Sequence, residues 1–558
     1  MKPYLSGLKP HSLHTKQTPW ITVQSFGHAW PVYWLLESLD SKEGNHATVN
    51  SWQHTGTHRI NVATRKSFIG HGASANPMSL KAIYDPPSQS LHRDAANTRS
   101  EDYGGPLGNN VKVESWSMPP PVTIFSDSSG RLTASTMCRE NTTCIVSLNP
   151  STLEVEATYP EPGESSELNM VSMIYMKWLD GHLTVPTGSR HIIDVKRIDK
   201  DGKTSFIKKR DIDLSKITPN NSRLVGSAYD GEGNLWFTTG GYPGAGVPSP
   251  DDAVIGYITP KGAIHSITLP DTGVENNFAI SGTDVYLITG PAGAADTANA
   301  TGYFYGFHPS PDGVEIGMKV PYDAGDGIKL GGVSRGSGST PSIIGKKYLS
   351  YTDNANGQIN LHIVPQMSTG RNVTEPVCSI PLWESGRSAN ENAILNHWDG
   401  EFTYSVVTNN CYNNSPVYFQ GDSPVGDGTW DPATINGPFN NVSAITPGLA
   451  RIDFNEKTGS CTTRWYNKKI ATNIIPILST KTGLLYTPSQ DHDLAREGIY
   501  VWYMSAIDFD TGKEVWRVRM GAGGSFSNNF QCPLLTPDGA VGQHVIGGFV
   551  KIKDGRPN

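Results

Sequence analysis

The chain has 558 residues, a formal net charge of −7 and 17% charged residues, a balance that argues against nucleic acid or an anionic membrane as its main partner. Its 59 Gly and 39 Pro predict short strands joined by many turns, not helices. It has no apolar run of about 18 residues, so no membrane span is expected.

Residues 1–110 do not repeat and read as an irregular arm or cover, with 111–558 as the main domain. They are rich in histidine, including His54 and His58 at helical spacing. Gly56 between them and the lack of a Glu after His54 break the metalloprotease pattern, and no metal is expected there. AWPVYWLL, from Ala29, is too short and too far in to serve as a signal segment.

From Pro120 onward, sets of four strands recur at roughly fifty-residue intervals, the period of a propeller blade. Seven full sets are legible. The third is the clearest, with LVGSAYDGEGNLWFTTGG and VIGYITPKGAIHSITLP as its two hairpins. The sixth starts at Asn390 and carries a long insertion near residues 411–445. The seventh ends in a hairpin whose first strand runs from Val501 to Phe509, turns at Asp510, Thr511 and Gly512, and returns from Glu514 to Met520.

Within that hairpin Ala506, Asp508, Thr511, Gly512 and Trp516 fall at the spacing of a tryptophan-docking motif, and the chain here resembles quinoprotein-like β-propellers. The resemblance implies an indole wedged between neighbouring blades. A looser copy places Ala450, Asp453, Thr458, Gly459 and Trp465 in the same order. After Met520 the chain holds strands for only part of an eighth blade. The expected fold is therefore an all-β, eight-bladed propeller, with seven blades as the alternative. A strand from the N-terminal arm, HRINVATR being the candidate, would pair with the C-terminal strands and remove the exposed edges.

In a propeller the segments entering the innermost strands form one rim of the central channel, where ligands bind. Several of these approaches share a polar signature: Glu275 and Asn276 in the fourth blade, Glu391 and Asn392 in the sixth, Asn528 and Asn529 in the eighth. The fifth contributes Arg335, in SRGSGSTP, and Asp353 and Asn354 at the end of its second strand. Trp398 and Tyr404 are candidates for an apolar wall. Arg335, Glu391 and Asn392 are the expected catalytic residues, with Glu275, Asn276, Asp353, Asn354, Asn528, Asn529, Trp398 and Tyr404 binding substrate. Asp491, His492, Asp493 and Arg496 form a separate charged loop, read as solvated.

Four function classes remain. A quinone-dependent dehydrogenase is disfavoured because an adjacent Cys-Cys pair and a CxxCH haem motif are both missing. A metal-dependent hydrolase of lactonase type would use Glu275 or Glu391 with Asn ligands. A non-catalytic binding scaffold fits the structural nature of the docking motif. The fourth class rests on the Gly/Ser-rich, sequon-bearing character of the chain, which is similar to fungal secreted-type propellers. A few of these act as hetero-Diels–Alderases in tropolonic terpenoid biosynthesis. That likeness implies a cofactor-independent cyclase acting on a small apolar or polyene substrate, with no cofactor and no metal, and it ranks first among the enzymatic classes. Cys138 and Cys144 flank a turn and are placed to bridge. With the sequon at Asn141 and others, they permit the secretory pathway, although no signal segment is visible and an intracellular location is the alternative.

Overall fold

The computed structural model describes residues 65–79, 88–118, 121–138, 143–149, 152–168, 174, 176–179, 181–242, 249–414 and 435–555. Their strands form eight sheets that succeed one another along the chain, each a set of antiparallel hairpins, and the fold is an eight-bladed β-propeller. The innermost strands of blades 1 to 8 are Pro121–Ser126, Lys177–Leu179, Arg223–Tyr229, Ala279–Ser281, Ser342–Ile344, Leu395–Trp398, Ile477–Ser479 and Leu534–Leu535.

Burial follows position in the blade. Second strands such as Leu235–Gly240 and Leu484–Gln490 are buried at every residue, because both faces pack on neighbouring blades. Outer strands such as Ile264–Leu269 alternate between exposed and half-buried, as expected where one face meets water.

Blade 8 takes three strands from the C-terminus and its outermost one, Lys112–Ser117, from the other end of the chain, paired antiparallel with Gly548–Lys553. Closure is therefore of the expected kind, but its strand lies just beyond the 1–110 segment. HRINVATR, apart from Arg65, lies outside the described residues, as do His54 and His58. Upstream of the closing strand, Phe68–Gly70 adds an extra edge to blade 7, pairing with its outer strand through Phe68 and Val518.

The docking motif behaves as a packing device. Trp465, on the outer strand of blade 6, lies against the turn of blade 7 and donates Nε1–H to the Phe509 carbonyl at 2.8 Å. Gly512 holds φ +68° there, and a Cβ on it would stand 2.4 Å from the Trp465 ring, so the turn requires glycine twice over. Arg451 completes the joint, bonding the Phe509 carbonyl and Asp510 while its guanidinium lies 4.0 Å from the Phe509 ring centroid. Trp516 repeats the device one blade on. It is 1% exposed, stacks on Phe68, and abuts Gly108 on the approach to the closing strand.

The segment Ser88–Glu101 is not a cover. It runs through the centre of the ring and bonds to the innermost strands or their approaches in six blades. Ser90 N–H donates to Ile124 O in blade 1, and Ile280, Ile343, Asn396 and Leu478 donate in turn to the carbonyls of Ala95, Ala96, Thr98 and Arg99. The Arg99 guanidinium bonds the carbonyls of Ser90 and, in blade 8, Pro533. Asn97, at φ +57°, sends its amide to the Phe278 and Pro341 carbonyls at 3.1 and 2.8 Å. Charge inside this plug is matched internally, since Arg93 forks onto Glu101 at 3.0 and 3.2 Å and also meets Asp94.

Cys138 and Cys144 form the expected disulfide, and Cys378 and Cys461 form another that joins the outer strands of blades 5 and 6. Cys411 and Cys532 are buried thiols.

Candidate functional site at the channel rim

Glu275 and Glu391 stand in corresponding places, each four residues before the start of the innermost strand of its blade, where the chain crosses the rim. That shared position brings them together. Their carboxyls hydrogen-bond to one another, with Ser334 also bonding Glu275 and the Val333 N–H bonding Glu391. Asn276 Nδ2 donates to Glu275 Oε1 at 2.9 Å and to the Gly338 carbonyl at 2.7 Å. Burial raises the pKa of both carboxyls, Glu275 to about 7 and Glu391 well above the usual carboxylate range, where the charge of Glu275 adds to the effect of burial. Two buried carboxyls in contact thus favour a state in which one of them carries a proton.

The connector from blade 4 to blade 5, residues 327–339, seals the pair. A Cβ on Gly338 would fall 2.1 Å from Glu391 Oε2, and one on Gly332 would fall 2.9 Å from Oε1. The glycines of SRGSGSTP and the residues before it are therefore what let the backbone lie on the carboxyl. Lys329 pins the connector by donating Nζ to the Ala355 carbonyl at 2.5 Å, and burial lowers its pKa to about 8 despite the nearby carboxylates of Asp353, Asp323 and Glu391.

Arg335 is the connector's latch. Its Nε meets Asp296 at 2.7 Å, and its terminal nitrogens donate to the carbonyls of Ala324, Gly325 and Thr297 at 2.6–2.7 Å. Asn354 holds the start of the connector, donating to the Gly327 carbonyl and to that of Ala324 just before it. Asp353 organises the turn that follows its strand, accepting from the Asn360 backbone and amide and facing His362 Nε2 at 3.1 Å.

Asn392, beside Glu391, directs Nδ2 to Asn409 Oδ1 and to Cys411 Sγ, both at 3.0 Å. The Glu391 N–H also reaches that sulfur, and burial pushes the thiol pKa up, so Cys411 is a neutral packing partner, not a nucleophile. From Asn409 the amide contacts continue around the rim through Thr472 to Asn473, which accepts from Asn528 at 2.8 Å. Asn529 follows at φ +39° with its N–H on Ser527 Oγ. Asparagine side chains thus line one side of the rim, while the carboxyl pair marks its centre of acidity.

Trp398 and Tyr404 are elsewhere. Trp398 ends the strand that Glu391 and Asn392 lead into, about 13 Å along. It stacks on Tyr404 at 6.0 Å, and Tyr404 packs with Tyr348 between blades 5 and 6. Ser334, Lys329, Cys411 and Asn409 were not among the expected site residues. SRGSGSTP drew attention for its arginine, whereas its serine and glycines touch the carboxyls. Cys411 opens an insertion with no periodic pattern to mark it.

No family model matches the chain. It is 22% identical over 256 residues to an uncharacterized protein of Archaeoglobus fulgidus, a match covering 43% of this chain and 46% of that protein's length. Among solved structures it is similar to propeller proteins. One is a luciferin-regenerating enzyme, at 12% identity over 57% of this chain and 92% of that one, with a TM-score of 0.32. The WD40 domain of SCAP from fission yeast shares 8% identity over 79% of this chain and 98% of its own, with a TM-score of 0.39. Sqt1 from Chaetomium thermophilum shares 10% over 80% of this chain and all of its own, with a TM-score of 0.44.

Proposed function

We propose that the Glu275–Glu391 pair is the proton-donating centre of a cofactor-independent cyclase of the hetero-Diels–Alder type, acting on a small apolar or polyene substrate. The observation that carries this is the contact between two buried carboxyls at the channel rim, a placement that favours the neutral form of Glu391. A neutral carboxyl donates a hydrogen bond to a carbonyl or quinone-methide oxygen and draws electron density from the conjugated acceptor, without transferring charge to bulk water. Cycloaddition then needs only that both partners be held face to face. Two σ bonds form from π electrons, and nothing is oxidised or reduced. Asn276 and Ser334 fix the carboxyl that accepts the internal hydrogen bond, and substrate enters by lifting connector 327–339 from its Arg335 latch. The two disulfides fit the secretory route expected from the sequons.

The test is turnover of polyene and quinone-methide partners by the purified protein. Activity should be abolished in Glu391→Ala and largely kept in Glu391→Gln, whose amide still donates. Equal loss in both variants with unchanged folding would sink the proposal.

One observation favours the lactonase-type alternative. Asn392 follows Glu391 in the chain and its Oδ1 is buried without a hydrogen bond among the described residues, an oxygen donor of the kind that, with carboxylates, suits a hard dication. Calcium-dependent lactone hydrolysis, abolished by chelator, would select that reading over the cyclase.

A further inference from the structure

Blades 6 and 7 diverge at their outer strands and enclose a cleft of about 960 Å³. This is within the range of small-molecule sites. It belongs to neither the channel nor the carboxyl pair, and its charges are unevenly spent. The acidic groups at its edge are already committed. Asp491 pairs with Arg65 at 3.2 Å and caps the short helix His492–Arg496 through the Leu494 N–H. Asp493 pairs with Arg496, and Glu514 accepts the Ser505 hydroxyl at 2.6 Å. His492 is held neutral, since burial lowers its pKa.

The cations are not all matched. Lys468 pairs with Glu384 across the rim. Lys469, Lys513 and Arg517, from two blades, line the cleft, and among the described residues their side chains make no hydrogen bond or ion pair. Arg517 is the most telling, because its Nε is buried with no acceptor while its guanidinium lies 5.0 Å from the Tyr503 ring centroid. A buried, unmatched guanidinium N–H is costly unless an anion completes it. Beside these cations lie the Tyr466 ring and the buried Ile470 and Ala471, an apolar side to the cleft that an inorganic ion would not use.

We infer that this cleft binds a small organic phosphate, with the phosphate oxygens on Arg517, Lys513 and Lys469 and the organic body on the Tyr466–Ile470 strip. Arginine supplies the planar fork and the lysines supply mobile point charges, a combination suited to a tetrahedral dianion. The site is independent of the cyclase proposal and survives its failure.

The experiment is calorimetric titration of the full chain with phenyl phosphate and, separately, with inorganic phosphate. Phenyl phosphate should bind saturably and more tightly than inorganic phosphate. Arg517→Gln and Lys513→Gln should each weaken it about tenfold or more, whereas Glu514→Gln should not weaken it. Lys513 is exposed, so its variant keeps the assay interpretable if Arg517→Gln misfolds. Absence of saturable binding, equal affinity for both probes, or wild-type affinity in Lys513→Gln would overturn the assignment.

Discussion

Glu275 and Glu391 approach the channel from blades 4 and 6, and their carboxyls meet in a hydrogen bond beneath the connector that carries Gly338. Such a pair cannot hold two negative charges cheaply. Its proton ties stability, and in the proposed reaction activity, to pH.

The sign follows from linkage. Both carboxyls titrate at higher pH folded than unfolded, so the native state binds more protons and stability falls as pH rises from about 4.5 through the folded values. For Glu275, raised from 4.5 to about 7, the loss is on the order of 3 kcal/mol. Glu391→Gln should remove the share of this dependence that Glu391 contributes and leave the share that burial imposes on Glu275. Denaturant midpoints measured from pH 4 to 8 should fall more steeply for the wild type than for the variant, and parallel curves would contradict the shared proton.

Activity should decline over the upper part of the same window, as the donor proton is lost. A pH–rate profile that rises through pH 7 would point instead to a carboxylate base or a metal-bound water.

The tryptophan joints predict a graded pair of effects. Trp516→Ala, at a fully buried site, should cost roughly 3–5 kcal/mol. Trp465→Ala, at a half-buried one, should cost roughly 1–3 kcal/mol. Equilibrium unfolding in urea measures both. An unchanged midpoint for Trp516→Ala would show that the wedge does not hold blades 7 and 8.

Asn97 separates side-chain from backbone effects. Asn97→Ala strands the Phe278 and Pro341 carbonyls and also puts alanine at φ +57°, a conformation asparagine tolerates better, so a loss of about 2–4 kcal/mol is expected. Asn97→Gly loses the same bonds without the conformational strain and should be milder by about 1 kcal/mol. The order of the two melting temperatures decides the matter.

Removing the Cys378–Cys461 bridge as the double serine variant should cost up to about 4–5 kcal/mol by loop-closure entropy, since 83 positions separate the two residues. In the native wild type, Cys411 and Cys532 should resist thiol reagents until denaturant is added. Rapid labelling of either would mean that the rim or the plug opens.

The blades were legible because strand repeats and turn residues are local signals. The incomplete last blade was legible because strands can be counted. Glu275 and Glu391 could be paired in advance because equivalent places in two blades face one axis. Arg335 shows the limit of such reasoning. Its neighbours Asp296, Ala324 and Gly325 come from loops that no periodicity places, so a latch could not be told from a donor. The segment Ser88–Glu101 was missed for a related reason. Its charges suggest a solvated surface, and although Arg93, Asp94 and Glu101 answer one another within it, only the ring buries them and supplies the Pro533 carbonyl to Arg99.

That central segment also sets an order of events. It is made before any blade, yet its partners are spread over six of them, the last reached only at Pro533. The strand that follows it, Lys112–Ser117, waits for Gly548–Lys553. A ring already closed would have no way to admit the segment, so the blades must gather around it as around a mandrel. While the chain is still being synthesised, this stretch and its buried charges stand open to water and to whatever chaperones are at hand.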